Sequence, residues 1–222
     1  MSIKKLILLA LALPIHVHAN IFFIKGNTVN DTDVDNAAIY FNAGIDPQTV
    51  AWLLSSIDEI NGNYRNIQNI DIYLNSGGGD MDSGYMAYEA LRKKPTKLNM
   101  INASNVASSA TIIYCASNQR YAMPMASFLL HPAAAANEIN DYLKPDQAQR
   151  ILDDAEKYNS LFRTIYSSCT KIPAEELKAI TSSESRRAIY NIENAKKVGL
   201  VNQDMKQPAT YPVTYYITDM QN

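Results

Sequence analysis

Three features of this 222-residue chain carry side chains that could do chemistry together. His131 closes the apolar run Ser127-Phe128-Leu129-Leu130. Upstream stand a glycine triplet, Gly77-Gly78-Gly79, and a serine pair, Ser108-Ser109, in a stretch of small residues that leads into an apolar segment. A hydroxyl nucleophile, an imidazole base and a backbone able to turn its N–H groups toward an oxyanion are the parts that acyl transfer requires. The other two histidines, His16 and His18, lie in an N-terminal segment with the features of a cleaved leader, so His131 is the one imidazole base of residues 20–222.

Each feature also has a plainer reading. Glycine triplets make structural turns. A serine before an apolar helix is often an N-cap, and a lone histidine is often a satisfied core residue. The triplet is neither G-x-G-x-x-G nor a Walker sequence, because no Lys-Ser/Thr follows it, and this lowers nucleotide binding. Taken alone, no feature decides; the order of all three gives them force.

The elements around them follow from patterning. Ile21-Phe22-Phe23-Ile24 and Ile39-Tyr40-Phe41-Asn42 read as extended segments, with a polar turn between them. Asp46-Pro47 supplies a cap and a first-turn proline for a helix over 49–60, with apolar residues at Val50, Leu53, Leu54 and Ile57. A strand over 70–74 runs into the glycines, and a helix over 82–93 follows them. A strand is expected over 97–103, then an apolar helix over 107–116 that starts at the serine pair. Short strands over 120–122 and 127–130 lead to His131. A long polar helix over 145–168, a shorter one after Pro173, and a last one capped by Asn191 and stopped by Gly199 complete the pattern. Strands alternating with helices predict an α/β fold with a largely parallel sheet.

The ends and the composition bound the rest. Met1-Ser2-Ile3-Lys4-Lys5, a short apolar run and the ending Val17-His18-Ala19 read as a secretory signal peptide over 1–19. The apolar run is shorter than the about 20 residues that span a bilayer. The expected product is a soluble periplasmic or secreted protein, with an extended arm over 20–38 and one domain over 39–222. Loss of Lys4 and Lys5 takes the formal charge from −2 to −4, and no basic run points to nucleic acid. Cys115 and Cys169 could pair in an oxidising compartment or sit as two small buried residues, and spacing leaves both open. One histidine and two distant cysteines make no metal site, and no cofactor is expected.

From about Ile39 to Asn202 the chain resembles the Clp protease proteolytic subunits of the ClpP/crotonase superfamily. Tyr73-Leu74-Asn75-Ser76-Gly77-Gly78-Gly79 is similar to the family's Asn-Ser-Pro-Gly-Gly segment, with Gly77 in place of proline. Gly84-Tyr85-Met86-Ala87-Tyr88-Glu89-Ala90-Leu91 resembles the helix that follows it. Ala107-Ser108-Ser109-Ala110 resembles the nucleophile turn. Arg120-Tyr121-Ala122-Met123-Pro124, continued to Leu130-His131, resembles the run that ends in the family's histidine. Asn194-Ala195-Lys196-Lys197-Val198-Gly199-Leu200-Val201 resembles its closing motif. The resemblance implies a β-β-α superhelix. It implies Ser108 as nucleophile, with Ser109 as the alternative, His131 as general base and then acid, and backbone N–H groups of Gly79 and Ser109 as the oxyanion hole. It also implies a peptide or unfolded polypeptide as substrate.

The chain departs from the family at the third residue. Counting back from Gly199 puts Arg187 where the family has aspartate, and a cation there would oppose the imidazolium formed during catalysis. Glu184 is one turn earlier and could take the role if the loop shifts; Glu193 would more naturally serve a helix cap. A Ser-His dyad, a triad completed by Glu184, and a retired protease that only binds peptides remain open. The segment after His131, Pro132-Ala133-Ala134-Ala135-Ala136-Asn137, lacks the glycines by which family members dock two rings. A smaller homo-oligomer through the long helix is expected instead, and export would separate the protein from a cytosolic ATPase. A crotonase-type acyl-thioester enzyme is a third reading, and it has no need of a nucleophilic serine.

Overall fold

A computed structural model of the chain describes residues 19–25, 30–135, 142, 144–204 and 210–219. The leader expected over 1–19 falls outside the described residues, apart from Ala19.

The strands are β1 (Ala19–Lys25), β2 (Asn36–Asn42), β3 (Asn69–Ser76), β4 (Lys97–Ala107), β5 (Gln119–Ala122), β6 (Ser127–Leu130), β7 (Ala188–Asn191) and β8 (Val213–Asp219). The helices are α1 (Pro47–Asn63), α2 (Met81–Leu91), α3 (Ser109–Tyr114), α4 (Pro145–Cys169), α5 (Ala174–Ile180) and α6 (Ile192–Lys197). One sheet runs β1-β8-β2-β3-β4-β6-β7, with β5 also paired to β4. Its centre is parallel, through β8-β2, β2-β3, β3-β4 and β4-β6. Both margins are antiparallel, β1 on β8 and β6 on β7. The expected parallel sheet is thus present in the middle and reversed at its edges.

Alternation along the strands divides the sheet into two faces. Ile39, Phe41, Ile70, Ile72, Leu74 and Met100 face the main core with Val50, Leu53 and Ile57 of α1. The other face carries Ala38, Tyr73 and Ile101, with Tyr40 stacked between Tyr73 and Tyr216 at ring-centroid distances of 4.5 and 5.0 Å.

Local chemistry sets the helix starts. Asp46 accepts from Gln48 and Thr49 N–H, both at 2.8 Å, and Pro47 opens α1. Asp80 accepts from Ser83 N–H at 2.8 Å and opens α2 directly after the glycines. Asn191 accepts from Asn194 N–H at 2.9 Å, and Gly199, at φ +73°, ends the turn after α6.

Two devices tie the helices to the sheet. The buried Arg120 guanidinium donates to the carbonyls of Ser117, Cys169, Gly199 and Leu200, over 2.7 to 3.0 Å, and so binds β5 to the end of α4 and to the turn after α6. Cys115 and Cys169 form a disulfide across 5.7 Å between Cα atoms, joining the ends of α3 and α4.

One expectation is corrected here. β4 does not stop near residue 103: it runs on to Ala107, and α3 begins only at Ser109. The cause is pairing, since Asn105, Val106 and Ala107 take β6 as partner at Ser127, Phe128 and Leu129. The small residues around Ser108 also serve packing. Ser109 lets α3 approach α2, where a Cβ added to Gly84 would lie 3.0 Å from Ser109 Cβ.

Candidate active site

Ser108 and His131 leave the same edge of the sheet on neighbouring strands. Ala107 is register partner of Leu129, and Ser108 N–H donates to Leu129 C=O at 3.1 Å. His131 follows Leu130, one residue past the end of β6. Both side chains are therefore set at the carboxyl ends of parallel strands, where open α/β sheets form their crevices.

Ser108 has φ +53° and ψ −132°, and among the described residues it is the one non-glycine with positive φ. Such backbone costs of order 1–3 kcal/mol and persists only where its surroundings impose it. Here the strand-to-helix turn imposes it, as in the sharp turns that expose nucleophilic serines. Ser108 makes no capping bond with its side chain, so it is not an ordinary N-cap. Ser109 is fully buried and its Oγ donates to Gly79 C=O at 3.1 Å. Of the two hydroxyls, Ser109 is held inside and Ser108 is left at the surface of the turn.

The glycine loop wraps this turn closely. Gly78 has φ +94°, and a Cβ there would lie 2.5 Å from Ser108 Cβ and 2.8 Å from Ala107 C=O. Gly79 has φ +148°, and a Cβ there would lie 2.2 Å from Ile45 C=O. Ile45 N–H donates to Gly78 C=O at 2.9 Å and Asp80 N–H to Ile45 C=O at 2.7 Å, so this bridge bypasses the Gly79 N–H. Ser109 N–H, in the first turn of α3, is likewise a donor without an intrahelical acceptor.

Across from His131 stands the loop before β7. Leu130 pairs with Ala188, so Arg187 occupies the next register position, opposite His131. The Arg187 side chain donates from Nη1 to Glu184 Oε1 at 2.9 Å. The other carboxylate oxygen, Oε2, lies 3.5 Å from His131 Nδ1. The hydrogen bond from Arg187 holds the Glu184 carboxyl below the usual carboxylate range, with burial opposing it and His131 adding to it. Glu184 begins a 3-10 turn, Glu184–Arg186, opened by Ser183, and that turn carries Glu184 beside the imidazole. Glu193 is engaged elsewhere, paired with Lys197 at 2.7 Å. Behind His131, Ala133 N–H donates to Asn159 Oδ1 at 2.8 Å, which fastens the segment after His131 to α4. That anchor carries no sequence signal beyond a polar residue on the inner face of a long helix.

The Clp protease family model matches residues 35–208. The chain belongs to the Clp protease family. Among curated relatives it is 31% identical over 141 residues to the ATP-dependent Clp protease proteolytic subunit 2 of Pseudomonas aeruginosa, spanning 60% of this chain and 64% of that one. It is 30% identical over 139 residues to proteolytic subunit 3 of Rhizobium etli, spanning 61% and 68%. The chain thus covers a little under two thirds of the Pseudomonas subunit's length. Among solved structures, a ClpP1 mutant from Listeria monocytogenes superposes with a TM-score of 0.60 at 19% identity, over 77% of this chain and 91% of that one. That likeness shows a shared Clp protease fold, the mixed α/β architecture with an open sheet.

Proposed function

We propose that this Clp protease family member is an exported serine peptidase that cleaves peptide bonds through an acyl-enzyme. The observation that carries the reading is Ser108, forced to positive φ at a strand-to-helix turn and hydrogen-bonded through its backbone to the strand that delivers His131.

In this reading Ser108 Oγ attacks the scissile carbonyl carbon and passes its proton to His131 Nε2. Nδ1, facing Glu184, is the nitrogen that keeps a proton, and the carboxylate stabilises the imidazolium. The tetrahedral oxyanion is received by the N–H groups of Gly79 and Ser109, each such donor worth about 3 kcal/mol in the transition state. Collapse breaks the C–N bond, and His131 returns the proton to the departing amine. Water then attacks the Ser108 ester with His131 again as base, releasing the acid and restoring the hydroxyl. Arg187 acts in this scheme as a clamp on Glu184.

The leader-like residues 1–19 support export, and the Cys115–Cys169 disulfide supports an oxidising compartment. There the protein acts without a cytosolic ATPase, on peptides or unfolded chains. A homo-oligomer built through the exposed first half of α4, where Leu152 is 61% exposed, agrees with a 132–137 segment that lacks glycine.

Fluorophosphonate labelling of the purified mature protein tests the reading, with the modified peptide located by mass spectrometry and the oligomer mass measured alongside. Label on Ser108, lost in Ser108→Ala, is expected. A folded, assembled protein that takes no label, but still binds peptides, would make it a retired protease that retains a binding cleft.

A further inference from the structure

A cleft of about 610 Å³ opens beside Gly79, between the start of α2 and the first half of α4. One wall is apolar, with Ala134 and Ile151. Its charged groups among the described residues are Asp80, Asp154 and Arg150. Asp80 uses Oδ1 to cap α2, which leaves Oδ2 for the cleft. Asp154 is exposed and forms no ion pair with the described residues. Arg150 is held one turn back by Asp146 at 3.1 Å. Tyr158, also in the wall, donates its hydroxyl to Asp82 Oδ2 at 3.1 Å. Burial first, and then the carboxylates of Asp82, Asp80 and Asp154, push that hydroxyl above the ordinary tyrosine range. Lys157 Nζ lies 5.3 Å from the Tyr158 ring centroid.

We propose that this cleft is the specificity subsite of the peptidase, and that it selects a lysine or arginine side chain adjoining the scissile bond. Gly79 supplies the link. In the reading above, its N–H receives the oxyanion, and of two clefts that Gly79 borders, the one on the α4 side takes the substrate side chain next to the scissile carbonyl. A long cationic side chain fits both walls. Its methylenes lie along Ile151 and Ala134, and its charged head reaches the Asp80 and Asp154 carboxylates. A glutamate side chain would meet like charge, and a leucine would leave the carboxylates unpaired. The inference rests on the serine-peptidase reading for the position of the scissile bond, while the recognition itself needs only the cleft.

Two measurements separate the two ideas. Internally quenched peptides of alanine and glycine, with a single Lys, Leu or Glu, are given to the mature protein. The Lys peptide is expected to have a kcat/KM about 10-fold above the Leu peptide, with Glu lowest, and the ratio should shrink in high salt. The Lys/Leu ratio should fall toward 1 in Asp154→Asn and in Asp80→Asn, the latter keeping a good N-cap. A Leu peptide cleaved as fast as the Lys peptide, or a ratio indifferent to both variants, overturns the proposal. If no peptide is cleaved, fluorescence anisotropy with Ser108→Ala decides it independently: tighter binding of the labelled Lys peptide, abolished by Asp154→Asn, sustains the cationic subsite. Equal binding of Lys and Leu peptides ends it.

Discussion

Arg187 donates to Glu184 rather than confronting His131: the 2.9 Å bond from Nη1 to Oε1 turns a cation at the family's acid position into a support for a carboxylate. The remaining oxygen faces His131 Nδ1 at 3.5 Å. In the proposed peptidase Glu184 takes the acid's role, with Arg187, three residues on, holding its carboxylate. Glu184→Gln should therefore lower kcat/KM. The fall should be about 10- to 100-fold, less than the about 10⁴ of a buried triad aspartate, because this carboxylate is exposed and water can partly replace it. Steady-state kinetics on one good peptide substrate checks this.

Arg187→Gln should act through acidity. Arg187 is the largest influence lowering the Glu184 carboxyl, so its removal should raise that titration toward the ordinary carboxylate range. The sign follows from linkage: a carboxyl depressed in the folded state contributes above its unfolded pKa, and the contribution is lost as pH falls through the folded value. The variant should lose that contribution at a higher pH than the parent, and its activity should fall off earlier on the acid side. Side-chain NMR titration of Glu184, beside a pH–rate profile, gives both readings.

The two serines make a paired prediction. Ser109 is buried and bonded to Gly79 C=O, so Ser109→Ala should cost about 1 kcal/mol of stability and keep fluorophosphonate labelling. Its backbone N–H survives the change. Ser108→Ala should fold normally and take no label. Labelling that follows Ser109 instead would reverse the assignment of the nucleophile.

Gly78→Ala should be worse than either. Its new Cβ would meet Ser108 Cβ at 2.5 Å and Ala107 C=O at 2.8 Å, on a backbone at φ +94°. Neither neighbour is a flexible side-chain tip, so the turn itself must shift. A loss of about 2 kcal/mol or more is expected from strain alone, with labelling of Ser108 slowed as well. Thermal unfolding and the labelling rate measure the two effects separately. By contrast, Gly77→Ala, with open space around the added Cβ, should be mild.

How far the sequence foretold this site depends on what each residue type can announce. Asp46-Pro47, Asn191 and Gly199 declared their helix ends, because caps and stops act through their own side chain or φ. Apolar alternation likewise announced β3. The end of β4 was different: Asn105, Val106 and Ala107 suit a helix start as well as a strand, and pairing with β6 settled it. β7 is four residues long and owes its place to the antiparallel match Phe128 with Tyr190. Without that register, Arg187 could be aligned with the family's aspartate, but its side chain could not be aimed. The choice between Ser108 and Ser109 needed the positive φ of one and the burial of the other, and a serine pair shows neither.

The Cys115–Cys169 bridge makes the last prediction, because it connects stability with the site. It joins residues 54 apart and ties the end of α3, the helix that starts beside Ser108, to the end of α4. Closing a loop of that length restricts the unfolded chain by about 4 kcal/mol in the chain-entropy account, within a usual range of about 2–5. Arg120 Nη2 donates to the Cys169 backbone carbonyl at 2.7 Å, a bond that does not pass through the sulfurs. The two ends should therefore stay in contact after reduction. Dithiothreitol, or Cys115→Ala with Cys169→Ala, should lower the midpoint of thermal unfolding by about 10 °C, while leaving the Ser108 turn formed at room temperature. Calorimetry with and without reductant, paired with fluorophosphonate labelling well below the transition, tests both halves. A collapse of labelling on reduction in a protein that remains folded would mean that the bridge, rather than the β4-β6 pairing, holds Ser108 in its turn.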